Sequence, residues 1–366
     1  MKTKNLILLL MVLGMAFAAG CQAPGERTSG APLADPHSGH AGAPVVDPHW
    51  PVLPEDWLMG EVSGIAVDMN DHIWLVQRPR SLNADEAGLV QDPPLSACCI
   101  PAPPVLKFDA EGNVVESFGG GMFIWPHGID VDEEGNIYVT DAVADARIPD
   151  GDMRGHQVVK FSPAGEVLLV LGTPGVQGSG ENQFTSPADV VVADNGDIFV
   201  ADGHYVPGNN RVVKFDRDGN FIKAWGRTGY APGEFRVLHT IAMDQRGRIF
   251  VGDRSNNRLQ LFDQDGNFIS QWTQFGRPSG IFFDEHDRIY VADSESDIEQ
   301  NPGWEMGIRI GDAELGWVDE FVLYAPGDPH VILGNGAEFV AVDAAGNMYG
   351  GEPIPRNLQK YIRVRP

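Results

Sequence analysis

Positive charge is in short supply in this chain: 26 Lys and Arg stand against 51 Asp and Glu, a formal net charge of −25. Such a surface repels polyanions, which excludes nucleic acid as a partner; the acidity serves solubility. Cysteine is nearly absent, with Cys21, Cys98 and Cys99 the only three. The last two are neighbours, whose Cα atoms lie about 3.8 Å apart across a trans peptide, below the usual disulfide span. A vicinal disulfide and a pair of free loop thiols are both compatible with that spacing. No segment carries a convincing helical period, and the one sustained apolar run, Leu6 to Ala19, is too short and wrongly flanked for a durable membrane span. What is plentiful is punctuation. Gly 44 and Pro 27 in 366 residues imply many turns, and 43% hydrophobic residues suffice for a large core. An all-β fold is the expectation.

The N-terminus reads as a targeting segment. Lys2 and Lys4 precede the apolar run, and Ala18-Ala19-Gly20-Cys21 closes it. Small residues before a cysteine resemble the lipobox of bacterial lipoproteins, in which the cysteine is lipidated and becomes the mature N-terminus. Residues 1–20 are therefore expected to be a signal peptide, with Cys21 a lipid anchor; an ordinary cleaved signal is the alternative. Residues 21–50, rich in Pro, Gly, Ala and Ser, read as a flexible tether, and 51–366 as the folded domain. An exported monomer at the cell envelope is expected.

Six segments share one pattern. They begin at Ser63, His127, Ala188, His239, Ser279 and Glu338, and each runs on as an apolar strand such as Gly128-Ile129-Asp130-Val131. Eight residues after each start stands Asp71, Gly135, Gly196, Gly247, Asp287 or Gly346, which suits a tight turn. A second strand follows, and most units add another hairpin, as in Val158-Val159-Lys160-Phe161 with Gly165. Four strands per unit, repeated six times, predict a six-bladed β-propeller. The last unit lacks an outer strand after Tyr361, so the segment before Ser63 is expected to supply it and close the ring.

The first residue of each unit lies just before the innermost strand, at one mouth of the channel. Around the ring that slot holds Ser63, His127, Ala188, His239, Ser279 and Glu338. Alternate blades thus bring two histidines and a carboxylate toward the axis, a ligand set suited to zinc with open positions. Water-holding polar groups are the plainer reading. Arg78 and Arg254 stand at equal offsets, where their guanidinium forks suit a substrate carboxylate or pair with acids such as Asp202 and Asp253. Tyr205, in an expanded loop after Asp202-Gly203-His204, suits proton transfer, as does His204 beside it.

These units resemble NHL repeats over roughly residues 55–365. Gly60 to Asp68 leading to Arg78, Pro126-His127-Gly128-Ile129, Asp202-Gly203 before Tyr205, and His239 leading to Gly252-Asp253-Arg254 resemble one branch, the peptidyl-α-hydroxyglycine α-amidating lyases. The resemblance implies a zinc lyase that cleaves a C–N bond and releases an amide and glyoxylate. It implies His127 and His239 as zinc ligands, Arg78 and Arg254 as substrate clamps and Tyr205 as base. The family's third histidine falls on Glu338, a competent ligand. Its calcium-binding carboxylate falls on Phe339, which argues against calcium at the carbonyls of Ile65 and Ile129. A non-catalytic propeller that binds protein or glycan, and a lactonase-like hydrolase, are the alternatives.

Overall fold

The computed structural model describes residues 44–142, 151–323, 336–354 and 356–363. The expected signal peptide, the Cys21 anchor and most of the expected tether lie outside these residues. Among the described residues no helix is long and apolar enough to cross a membrane.

The described strands form six four-stranded antiparallel sheets and one small parallel pair, Trp57–Leu58 with Ile100–Pro101. In the first five sheets the strands follow chain order, as in Glu61–Val67, Ile73–Arg78, Val105–Phe108 and Val114–Phe118. This is the six-bladed propeller, and the hairpins arise where the sequence puts its turn residues. Asp71 (φ 60°), Gly135 (80°), Gly196 (88°), Gly247 (74°), Asp287 (55°) and Gly346 (85°) all adopt the left-handed conformation. Glycine reaches it without strain, and aspartate tolerates it better than most residues.

The core is divided among the seams between blades. Leu75 and Phe108 of the first blade pack on Ala341 and Tyr349 of the sixth. Val76 and Val105 pack on Val139 and Phe161 of the second blade. The remaining seams repeat the arrangement. The second strand of each blade is almost wholly buried and holds a near-continuous apolar run, as in Ile249-Phe250-Val251.

The ring closes as expected, with one correction to its boundary. Val45–Val46 pairs antiparallel with Asn357–Ile362 and supplies the outer strand of the sixth blade. Trp50 is buried in the first seam, 4.8 Å from the Tyr349 ring and 5.5 Å from Phe108. The folded domain therefore begins before residue 51, because an unpaired edge and an apolar seam both demand cover. Cys98 and Cys99 form a disulfide, their Cα atoms 3.2 Å apart.

Candidate metal centre and active site

Four of the six inner strands start irregularly, and in these the irregularity positions the slot residue. In the second blade Pro126 pairs with Asp141 and Ile129 with Val139, which leaves His127 and Gly128 as a bulge. Register shifts likewise fall between Val62 and Gly64, between Pro187 and Asp189, and between Leu238 and Thr240. Ser63, Ala188 and His239 are the residues left out. A bulge re-aims the side chain of its extra residue, here toward the axis. Glycine often follows because the next blade comes close. A Cβ on Gly64 would lie 2.6 Å from the His127 carbonyl oxygen, and one on Gly280 would lie 2.7 Å from that of Glu338.

His127, His239 and Glu338 meet as the slot pattern predicts, and His204 joins them. One ligand atom from each of the four lies within 4.8 Å of the others, and all four residues are buried. The backbone sets the histidine tautomers. His127 Nδ1 is 2.8 Å from the Ala188 carbonyl oxygen and His239 Nδ1 is 2.6 Å from that of Ser279. A carbonyl only accepts, so both Nδ1 atoms donate and both Nε2 lone pairs face the cluster. Burial, then the neighbouring His239, holds the His127 imidazole well below the usual histidine range; burial, then Arg254, does the same for His239. Burial, followed by His127 and His239, depresses His204. Neutral imidazoles are the form that binds metal.

His239 Nε2 stands 3.2 Å from Glu338 Oε1. With Nδ1–H committed to Ser279, a neutral imidazole offers a lone pair to a carboxylate oxygen there, and both atoms seek a positive charge. His127 Nε2, both ring nitrogens of His204 and Glu338 Oε2 are buried without a hydrogen-bond partner. Leaving buried polar atoms unpaired costs about 1–3 kcal/mol each. A divalent cation among these four side chains would satisfy His127 Nε2, one ring nitrogen of His204 and the Glu338 carboxylate, and the nitrogen-rich donor set fits zinc or another transition metal.

The two arginines border the cluster. Arg78 Nη1 donates to Glu61 Oε2 at 3.0 Å and Nε to the Pro126 carbonyl at 3.2 Å, while the guanidinium lies 4.3 Å over the Trp125 ring. Its Nη2 is 3.9 Å from Glu338 Oε2. Arg254 Nη1 lies 3.3 Å from Glu295 Oε1 and 3.7 Å from Glu338 Oε1. The acids expected as their partners are engaged elsewhere, Asp202 with Arg211 and Asp253 with Arg258. Tyr205 packs edge-on to His204, ring centroids 4.3 Å apart, and its charge would act on Arg254. Phe339, in place of a carboxylate, sets its ring 5.5 Å from His127.

The sequence reading left out His204 as a ligand, and Glu295 and Arg277 as partners at the site. Arg277 Nε donates to Glu295 Oε2 at 3.1 Å. His204 and Glu295 come from the loops after the second strand of their blades, each one position beyond the offset that marks Arg78 and Arg254. That second offset was the available signal.

An NHL repeat is recognised over residues 184–215, the first three strands of the third blade and the turn before them. A probable peptidyl-α-hydroxyglycine α-amidating lyase of Caenorhabditis elegans is 31% identical over 212 residues, which cover 54% of this chain and 54% of that protein. The NHL repeat-containing protein 3 of Homo sapiens is also 31% identical over 212 residues, 56% of this chain and 52% of its own length. The matched region thus spans about half of these relatives, and 20% of the amidating monooxygenase of Mus musculus. Among solved structures, a gluconolactonase from Xanthomonas campestris superposes with a TM-score of 0.54 over 88% of this chain and 97% of that one. At 14% identity that likeness is one of fold.

Proposed function

We propose that this NHL-repeat six-bladed propeller, homologous to the amidating-lyase and NHL-repeat proteins, is a metal-dependent lyase acting on a carboxylate-bearing, α-hydroxyglycine-like substrate. The observation that carries the reading is the cluster of His127, His204, His239 and Glu338, with its inward lone pairs and buried unpartnered atoms. These residues would hold the metal, which when bound polarises a substrate hydroxyl or activates water.

The other steps belong to the chain. Arg78 and Arg254 bind and orient the substrate carboxylate through guanidinium forks in a buried setting where such contacts are strong. Glu61 and Glu295 hold those forks in place. Tyr205, at the edge of the cluster, takes the hydroxyl proton. As the carbon–oxygen bond becomes a carbonyl, the C–N bond breaks, the nitrogen leaves with the electron pair and gains a proton, and the products are an amide and glyoxylate. The N-terminal segment would tether the enzyme outside the cytoplasm through Cys21.

Two measurements test the reading together. Elemental mass spectrometry of the full chain should find about one metal ion per chain, and a His127→Ala, His239→Ala double variant should have none. The wild type should release glyoxylate from an α-hydroxyglycine peptide, and the double variant should not. A metal-free wild type that stays metal-free after zinc is added overturns the metal reading. A loaded protein with no glyoxylate release overturns the substrate.

A further inference from the structure

The four side chains of the cluster are not held equally. His127 and His239 are pinned by hydrogen bonds from Nδ1 to the carbonyls of Ala188 and Ser279. Glu338 sits between Arg78 and Arg254 at 3.9 and 3.7 Å and faces His239 at 3.2 Å. His204 has no such fastening. Neither ring nitrogen has a hydrogen-bond partner, though both are buried. Its ring packs edge-on to His127 and Tyr205, with centroids 4.3 Å from each, and lies tilted against His239 at 4.9 Å. Its backbone is held, since the His204 N–H donates to the Ser186 carbonyl at 3.1 Å, so any change of ligation there falls to the side chain. It also comes from an irregular loop, whereas the other three stand at the starts of inner strands.

Four protein ligands saturate a tetrahedral metal, whereas a catalytic metal keeps a position open. A ligand with no second hydrogen bond to orient it is the easiest to release. We propose that His204 is an exchangeable fourth ligand: it closes the coordination sphere in the resting protein and is the side chain that yields to an entering ligand. The proposal rests on the metal reading above. Turning His204 away breaks no hydrogen bond of the protein, while displacing Glu338 would strip a carboxylate from two buried guanidinium groups, and displacing either other histidine would break its hydrogen bond to a backbone carbonyl.

The test uses Co²⁺ as probe and the visible absorption of the loaded full-length chain as readout. Wild type, His204→Ala and His204→Phe are compared; phenylalanine keeps the ring contacts but offers no ligand. All three should bind one Co²⁺. The wild type should show the intense bands of a four-coordinate site, keep them at low thiocyanate, and shift when thiocyanate in large excess displaces His204. The alanine variant should take thiocyanate at a concentration about ten-fold or more lower. The phenylalanine variant should show altered bands before any addition. Spectra and thiocyanate responses that superimpose across the three proteins overturn the proposal, and so does loss of Co²⁺ from both variants, which would make His204 an indispensable ligand. Failure of the wild type itself to bind Co²⁺ overturns the underlying metal reading instead.

Discussion

Arg78 spreads one guanidinium over Glu61, the Pro126 carbonyl, the Trp125 face and the approach to Glu338. Around the cluster Arg78, Arg254 and Arg277 face Glu61, Glu295 and Glu338, three charges of each sign, so the protein part of the site is close to neutral before a metal enters. A lysine cannot reproduce a planar fork that bonds in two directions and stacks on an indole. Arg78→Lys should therefore lower kcat/KM for glyoxylate release about 10- to 100-fold, or about 1.4–2.7 kcal/mol, chiefly through KM. Steady-state kinetics on a substrate and its carboxamide analogue would check it, because the carboxamide should lose far less. Equal losses on both would mean that Arg78 holds the fold and not the carboxylate. At this scale the sequence displayed whatever recurred at a fixed repeat offset, hence His127, His239, Glu338, Arg78 and Arg254. It concealed Arg277, since nothing in a linear pattern says that a guanidinium two residues before Ser279 reaches a carboxylate on the next loop.

The inner strands are joined by buried carboxylates as well as by apolar seams. Asp189 accepts hydrogen bonds from Val190 N, Thr240 Oγ1 and Ile241 N, and so links the third blade to the fourth. Burial nevertheless outweighs those donors and pushes its carboxyl up to about 8. A folded value above the unfolded one means that the folded protein holds a proton the unfolded chain has lost. That contribution is complete below the unfolded value of 3.8 and disappears as pH rises through about 8. The wild type should lose stability over this window relative to Asp189→Asn, by about 1–3 kcal/mol. Thermal melts at fixed metal content between about pH 5 and 9 would show it, and parallel curves would disprove it. The strands themselves were plain in the sequence. Alternation and turn residues at Gly135, Gly247 and Asp287 prescribe hairpins through local backbone preference alone. The bulges that aim His127 and His239 inward were not legible, because a bulge is a property of two paired strands.

The ring as a whole depends on a contact between its ends. Val45–Val46 lies along the last strand, and Trp50 fills the seam between the first and sixth blades. Composition had assigned both to the tether, since a two-residue strand among Pro, Ala and His carries no period to detect. The structure makes that short segment a closing element. Without it Asn357–Ile362 becomes an exposed edge, and the seam holding Phe108 and Tyr349 loses its indole. Trp50→Ala should cost about 3–5 kcal/mol, the usual range for deleting a buried aromatic. A chain beginning at Pro51 should unfold at a lower denaturant concentration than one beginning at Pro44, and should self-associate through the bared edge. Urea melts with light scattering on the two chains would decide it. Coincident midpoints would mean that the five complete blades and the remaining three strands of the sixth hold the ring unaided, with 45–50 a passive extension. A lower midpoint with a stoichiometric metal still bound would separate ring closure from site assembly, because the four cluster residues all stand on segments that the truncation leaves intact.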